Sequence, residues 1–462
     1  MQFAASGPWA SEQFGSADLG DRRLTRRLVG YAAAAAASPS ASIPLQCGTW
    51  KQAKGAYRLF DNHATTHEAV IAPHVAQSRA AAADCRVVLH VSDTTTLSFD
   101  RPQTQGLGPP SAGGGGRGML LHNTLAVDVS GGIDAPPRVL GLTHQQLWTR
   151  TKERTKTPES AKWPQAIGAV GPAPEGVSFV HVSDAEGDCW EALAAAQAQG
   201  PTVGHVIRAC QDRLACAGDD PQGKPSAKLF DLARAGPALG GKYLWARARG
   251  NEEARLVKLL VSATRVTLHP PKNWADKKHR GGTPRPVPLV RWAVRVWEPD
   301  PPQGREGIEW VLLTDRPVTD LEAALLIAFW YSCRWLVEEY HKCLKSGCGV
   351  EGRQLGHVDR LEPLVGVLSV VAVRLLQLKH QARVNPDTPA GEVVPARYVR
   401  TLAAWLKVSA KMTARQFRRG TAQLGGFLAR RGDGDPGWQT LWRGWWKLQL
   451  LTEGAELGRG MR

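Results

Sequence analysis

The 462-residue sequence has eight cysteines but no C-x-x-C pair, and it has no G-x-x-x-x-G-K-[ST] segment. The first absence removes the common zinc and dithiol frameworks and leaves reduced, mostly buried thiols as the expectation. The second leaves ATP dependence without support. His63 and His67 have i,i+4 spacing but lack the glutamate of a zinc protease. Residues 113–118 formally contain G-x-G-x-x-G, yet they follow a Pro-Pro loop and precede a strand, so a dinucleotide site is not expected. Long apolar runs are missing as well. The longest in the C-terminal half, residues 364–373, stops at Arg374, short of the ~20 residues a membrane span needs. Residues 1–20 carry no basic segment leading into an apolar one, so no secretory signal is expected.

Acidic residues are in short supply. There are 42 against 58 lysines and arginines, a net charge of +16, while hydrophobic (43%) and charged (22%) fractions are those of a globular chain. Such a surplus points to a polyanionic partner, most often nucleic acid. From Arg374 onward there are 16 basic and 6 acidic residues, so +10 of the excess lies in the last fifth of the chain.

The length suggests two to four domains. The first seventy-odd residues read as helical, and Arg23, Arg26, Arg27 and Gly30 recur at spacings that place them on one helix face. A second helical stretch carries Lys51, Lys54 and Arg58. From residue 86 the texture changes. Residues 87–93, 119–129 and 137–143 read as strands. A helix (160–170), a strand (177–184), a helix (190–199) and a strand (203–209) follow, the order of a mixed sheet flanked by helices. Residues 210–316 read as a β-rich insertion containing a basic loop at 272–285. Then come a long helix at 321–345, a second apolar helix at 361–378, a proline-marked linker, and a basic, tryptophan-rich helical end.

Two tetrapeptides are identical: His90-Val-Ser-Asp93 and His181-Val-Ser-Asp184, each closing an apolar strand. Two carboxylates at the ends of neighbouring central strands are costly to desolvate unless a cation compensates them. Oxygen donors suit magnesium or manganese. The competing explanation is that each aspartate caps the turn after its strand. On the long helix, Tyr331, Arg334, Glu338 and Lys345 fall within about 60° of arc. That face suits a metal-bound phosphate substrate. It equally suits a solvated face held by i,i+4 pairs such as Arg334 with Glu338. Glu339 adjoins Glu338, and spacing from the strands does not choose between them.

Together these residues resemble the DDE transposases of bacterial insertion sequences, and more narrowly the insertion-sequence-four family with its helix signature Y-x2-R-x3-E-x6-K, matched at Tyr331, Arg334, Glu338 and Lys345. Residues 19–28 and 54–59 resemble that family's end-binding domain, residues 92–98 and 184–188 its two aspartate motifs, and residues 371–378, 424–427 and 438–446 its C-terminal part. The resemblance implies an α/β fold: a ribonuclease H-like core (76–209 and 317–378) with the β-strand insertion (210–316), flanked by a helical DNA-binding domain (1–75) and a C-terminal helical dimerisation and DNA-contact domain (379–462). It implies Asp93, Asp184 and Glu338 as catalytic metal ligands for two Mg2+ ions, with Mn2+ as a substitute. It implies DNA contacts from Tyr331, Arg334, Lys345, Arg23, Arg26, Arg27, Arg208 and Lys342, and stacking of a flipped base on Trp310. It further implies cut-and-paste transposition through hairpin ends by a homodimer bridging transposon ends and target DNA, in the bacterial cytoplasm. Ala185 and Leu24 stand where the family carries arginines, which bears on the recognised end sequence. A catalytically silent DNA-binding relative is the alternative. The stripe Trp438, Leu441, Trp442 and Trp445 is expected to face a second protomer or the chain's own core.

Overall fold

The computed structural model describes all residues except 1–5, 100–103, 112–115, 151–157, 247–254, 272–273, 275–284, 385, 431–432 and 461–462. Most of the basic loop at 272–285 and part of the glycine-rich segment at 113–118 therefore lie outside the described residues. Within that loop Trp274 is buried, and Arg285 donates to the Pro270 carbonyl at 3.0 Å.

The chain opens with five helices: α1 (Ser6–Phe14), α2 (Arg22–Ala37), α3 (Ile43–Cys47), α4 (Trp50–Phe60) and α5 (His67–Ala83). Side-chain caps start three of them, with Asp21 accepting from the Arg23 amide, Thr49 from Gln52 and Thr66 from Ala69. Gly48, at φ 73°, makes the turn between α3 and α4 that a side chain would strain.

Then follow β1 (Val87–Ser98), β2 (Gly118–Asp128), β3 (Arg138–Trp148), α6 (Lys162–Val170), β4 (Ser178–Ser183), α7 (Trp190–Ala198) and β5 (Val203–Arg208). The segment read as an insertion holds β6 (Leu214–Ala217), β7 (Ala227–Lys228), α8 (Leu229–Ala235), β8 (Gly240–Ala246), β9 (Arg255–Leu268), β10 (Leu289–Trp297) and β11 (Glu309–Thr314). All strands join one sheet in the order β3-β2-β1-β4-β5-β11-β10-β9-β6-β7, with β8 also on β9. β1, β4 and β5 are parallel and the other pairs antiparallel. The segment is thus an extension of the central sheet, because β11 returns to pair with β5 through Leu312↔Arg208 and Thr314↔Val206.

The long helix expected at 321–345 is interrupted. It comprises α9 (Leu321–Ser332) and α10 (Trp335–Lys342), followed by a π turn, Cys343–Gly347. Around Arg334 the backbone bonds reach back three residues, Arg334 to Tyr331 at 2.9 Å and Leu336 to Cys333 at 2.9 Å, so the helix tightens there and loosens at its end. The left-handed residue after it is Gly349 (φ 58°), two positions beyond the Ser-Gly stop read in the sequence. The second apolar helix, α11 (Val358–Val384), is longer than expected; by length and composition it could cross a membrane, but it is mostly buried in the core. Helices α12 (Ala390–Val393), α13 (Ala396–Leu406), α14 (Ala414–Leu424) and α15 (Trp438–Gly460) complete the chain.

The sheet divides the core. On one face Leu89, Val91, Val180, Val182 and Leu312 pack with α9–α11; on the other Ile207, Val311 and Leu313 pack with α6–α8. Buried Arg353 ties the parts together, donating to the carbonyls of Pro39 (2.5 Å) and Cys348 (2.6 Å) and to that of Ala41. The second face also carries a row of buried histidines. His90, His181 and His205 are register partners on β1, β4 and β5, and the His90 and His181 rings stack at 5.3 Å.

Candidate functional site

The repeated tetrapeptide is an in-register feature. His90 pairs with His181 and Val91 with Val182, so Asp93 and Asp184 each lie three residues beyond paired histidines on adjacent parallel strands. Side chains alternate along a strand, so Asp93 projects to the face opposite His90, where α10 packs. Asp93 remains inside β1, opposite Asn123, and its Oδ1 accepts from the Thr94 amide at 2.8 Å. Asp184 leaves β4 and caps a 3-10 turn, Ala185–Gly187, accepting from the Glu186 amide at 2.9 Å. The turn-capping explanation therefore holds for Asp184 and not for Asp93, and for Asp184 it coexists with proximity to Asp93.

The structure brings Glu338 to the same place. Arg334 Nη1 lies 3.6 Å from Asp93 Oδ2, and its Nη2 bonds Glu338, so one guanidinium stands between two carboxylates. Burial first, and then the Asp184 charge, push the Asp93 carboxyl up to about 7, against the opposing pull of Arg334. Burial likewise raises Asp184. Glu339 points elsewhere, into a buried pair with Lys379 at 2.7 Å. Spacing from the strands left the two glutamates undecided and the signature spacing from Arg334 picked Glu338; in the structure Glu338 shares Arg334 with Asp93, and Glu339 belongs to the core.

Around these carboxylates stand most of the other sequence candidates. Tyr331 is buried and its phenol is raised by that burial, with Arg334 and Arg208 acting against the shift. Arg208 ends β5 with its side chain exposed. Trp310, half-buried on β11, meets Tyr331 edge-on with centroids 5.4 Å apart. Lys342 is exposed with its Nζ 4.3 Å from the Trp335 ring centroid. Lys345 is held differently, 3.7 Å from Glu351, whose carboxylate also accepts the Ser98 amide at the end of β1. It therefore sits at the rim, five residues along β1 from Asp93.

Three neighbours had no place among the sequence candidates. His341 Nδ1 lies 4.0 Å from Asp93 Oδ2, and its Nε2 is 2.9 Å from Asn123 Nδ2. Lys162, buried against Trp163, meets Glu186 at 3.1 Å beside Asp184. Asp188, inside the second aspartate motif, is fully buried against Arg213. No spacing rule links these residues across the chain.

Among the described residues, no group of three or more His, Cys, Asp or Glu side chains is gathered tightly enough to hold a metal ion as it stands. The donor chemistry fits a hard cation nonetheless, since mutually repelling buried carboxylates are what such an ion neutralises. Arg334 supplies that neutralisation here.

Arg23, Arg26 and Arg27 lie apart from the carboxylates. With Lys51, Lys54 and Arg58 of α4 they line a groove of about 880 Å³ between α2 and α4, whose lining includes no acidic residue. Gly30, Ala34 and Gly55 keep its walls low. The i, i+3, i+7 spacing of the α4 cations was a readable sign of this second wall.

In the C-terminal part, Trp445 packs on Tyr398 (5.1 Å) and Phe417 (6.2 Å), so this member of the tryptophan stripe is core. The side chains of Trp438 and Trp442 lie outside the described residues. Among the described side chains of α15, the large apolar ones that are exposed are Trp446, Leu450, Leu451 and Leu457.

Comparison with known proteins adds to this geometry. Residues 6–65, which span α1–α4, match the family described as Transposase DNA-binding. Residues 370–462 match the family described as Transposase Tn5 dimerisation domain. A slight likeness exists to the cryo-EM structure of the piggyBac transposase synaptic complex with hairpin DNA, with a TM-score of 0.31 and 8% identity over 72% of this chain. The chain spans about half of that protein's length, 51%. The two matched segments lie toward opposite ends of the chain, one similar to a transposase DNA-binding family and the other to a Tn5 transposase dimerisation family.

Proposed function

We propose that this chain is a cut-and-paste DDE transposase of the insertion-sequence-four type, with Asp93, Asp184 and Glu338 as its catalytic carboxylates. One observation carries the reading: Asp93 and Asp184 follow paired residues on adjacent parallel strands, and Glu338 of α10 shares Arg334 with Asp93. The strand order β3-β2-β1-β4-β5 with β1, β4 and β5 parallel supports a ribonuclease H-like core for residues 76–209 and 317–378. The groove between α2 and α4 would bind the element's terminal repeat.

Asp93, Asp184 and Glu338 would hold divalent metal, Mg2+ or Mn2+, once Arg334 turns from between Asp93 and Glu338 to a DNA phosphate. Such ions supply charge stabilisation for in-line displacement at phosphorus. Each step forms one P–O bond and breaks another. A water oxygen bonds to phosphorus and the 3′-oxygen leaves, nicking the element's end. The freed 3′-hydroxyl attacks the opposite strand to form a hairpin as the flanking 3′-oxygen leaves, a second water opens the hairpin and releases the element's 3′-oxygen again, and that hydroxyl attacks target DNA as a target 3′-oxygen leaves. Tyr331, Arg208, Lys342 and Lys345 would contact the backbone near the cut, and Trp310 would stack on a displaced base.

Incubation with the element's terminal repeats and Mg2+ should yield nicked and hairpin products that disappear with a chelator. Asp93→Asn, Asp184→Asn and Glu338→Gln should each abolish cleavage while retaining the gel shift of end DNA. Cleavage surviving any one substitution removes that residue from the site, and binding without cleavage by the unaltered protein supports a silent DNA-binding relative.

A further inference from the structure

The Asp184 turn is short and exposed on one side, yet a fully buried charge lies at its far end. Asp188 Oδ2 accepts from the backbone amides of Cys210 (2.7 Å) and Gln211 (2.8 Å). Its Oδ1 faces Arg213 Nη1 at 2.6 Å, and Arg213 Nη2 donates to the Asp188 carbonyl at 2.8 Å. The Cys210 thiol donates to the Ala185 carbonyl at 3.2 Å, so the same segment holds the turn at a second point. Inside the turn, the Gly187 amide bonds the Asp184 carbonyl at 3.1 Å. A Cβ on Gly187 would lie 2.1 Å from Ser183 Oγ, so the backbone is pressed against the end of β4.

A buried carboxylate is retained at a cost unless its partners are well placed. Here Oδ2 and the adjoining carbonyl are hydrogen-bonded, while Oδ1 is held by the Arg213 charge without a hydrogen bond. All these partners come from residues 210–213, separated from the end of β5 by one residue. β5 is itself fixed between β4 and β11. The Asp184 carboxylate is therefore positioned relative to the sheet by a strut four residues away from it.

We propose that Asp188 is a positioning residue, braced by Arg213 and the Cys210–Gln211 amides, that holds the Asp184 carboxylate where it can share a cation with Asp93. The proposal rests on the catalytic role given above to Asp184. It also assigns a task to the start of the insertion, which would brace the catalytic turn as well as extend the sheet.

The test uses the full chain with Asp188→Asn, Arg213→Gln and Arg213→Lys, beside Asp184→Asn as a control. Three quantities are read: end-DNA affinity by gel shift, the single-turnover cleavage rate across an Mg2+ titration, and the thermal shift given by Mn2+ in the absence of DNA. With the brace loosened, cleavage should fall roughly ten- to a hundredfold, half-saturation should need several-fold more Mg2+, and the Mn2+ shift should shrink. End-DNA affinity should stay within about twofold, and Arg213→Lys should recover part of the rate. An unchanged Mg2+ requirement and Mn2+ shift overturn the proposal, as does an equal fall in DNA affinity and cleavage. If Asp188→Asn fails to fold, the two Arg213 variants decide alone. Full cleavage by Asp184→Asn would instead overturn the parent assignment, so the two failures remain distinguishable.

Discussion

The Trp310 ring stands edge-on to Tyr331, with centroids 5.4 Å apart and planes at 62°. One strand of the extended sheet thereby touches the last turn of α9. On the proposed function, Trp310→Ala should accumulate nicked ends without hairpins. Stacking on a displaced base is worth about 1–3 kcal/mol, or roughly ten- to a hundredfold in rate. Nicking requires no displaced base and should change much less. Because Trp310 also supports Tyr331, Trp310→Phe serves as the control and should restore most hairpin formation. Parallel loss of both products in Trp310→Ala, read on a denaturing gel, would mean a packing defect only.

The groove between α2 and α4 offers an electrostatic test. Lys51, Lys54 and Arg58 form one wall and Arg23, Arg26 and Arg27 the other. Replacing the three α4 cations with glutamine should lower the salt slope of end binding by about 0.9 for each phosphate that is no longer neutralised. Affinity measured between 50 and 200 mM salt, as approximate limits, gives that slope. An unaltered slope would place the DNA elsewhere.

Adjacent glutamates should behave oppositely. Glu339 and Lys379 are both nearly inaccessible and pair at 2.7 Å. Lys379→Ala takes the cation away from a buried carboxylate, a change that costs about 3–5 kcal/mol, and denaturant titration should register it. Glu338→Gln should leave the unfolding midpoint nearly unmoved while cleavage disappears. A stability loss of the Lys379→Ala size in Glu338→Gln would reverse the assignment of the two side chains.

The histidine row makes the fold acid-sensitive. Burial first lowers all three: His90 falls well below its usual value, His181 reaches about 3 and His205 about 4. His181 is faced by His90, His205 and Asp315, while Arg79 adds to the lowering at His90 and Arg291 and Arg316 at His205. At these three positions the unfolded chain takes up protons near pH 6.5 and the folded chain does not. The stability contributed by the row is therefore complete above about pH 6.5 and falls as pH drops toward 4, by up to about 1.4 kcal/mol per histidine per pH unit, opposed by the single proton that the raised Asp93 carboxyl takes up in the folded chain. Thermal unfolding between pH 7 and 5 should show the decline, and His181→Gln should flatten it. A midpoint independent of pH over that range would contradict the burial of the row.

Much of the site was legible because its residues obey local periodicities. The His-Val-Ser-Asp echo is visible in one dimension, and parallel pairing turns it into register. The signature spacing from Tyr331 to Glu338 survives because three-residue tightening at Arg334 shifts the face only slightly. Lys345 was harder to place, since the π turn inserts extra backbone before it and Glu351 captures it. Glu338 and Glu339 looked alike because accessibility is decided by Lys379, 40 residues away. The union of the insertion with the central sheet was not legible either. Alternation identifies strands, but the pairing of β5 with β11 joins segments about a hundred residues apart. Asp188 closes the second aspartate motif in the sequence, but its role was not legible for a similar reason, as its partners form no motif with it.

Arg353 joins three carbonyls from two separate parts of the chain: Pro39 and Ala41 after α2, and Cys348 just after the π turn. On the proposed function it makes the molecule a ruler. The basic groove and the carboxylates are set at a fixed separation, so the distance from the bases read to the bond cut is a property of the folded chain, and an end with one base pair inserted between them would be bound but presented to the carboxylates out of phase.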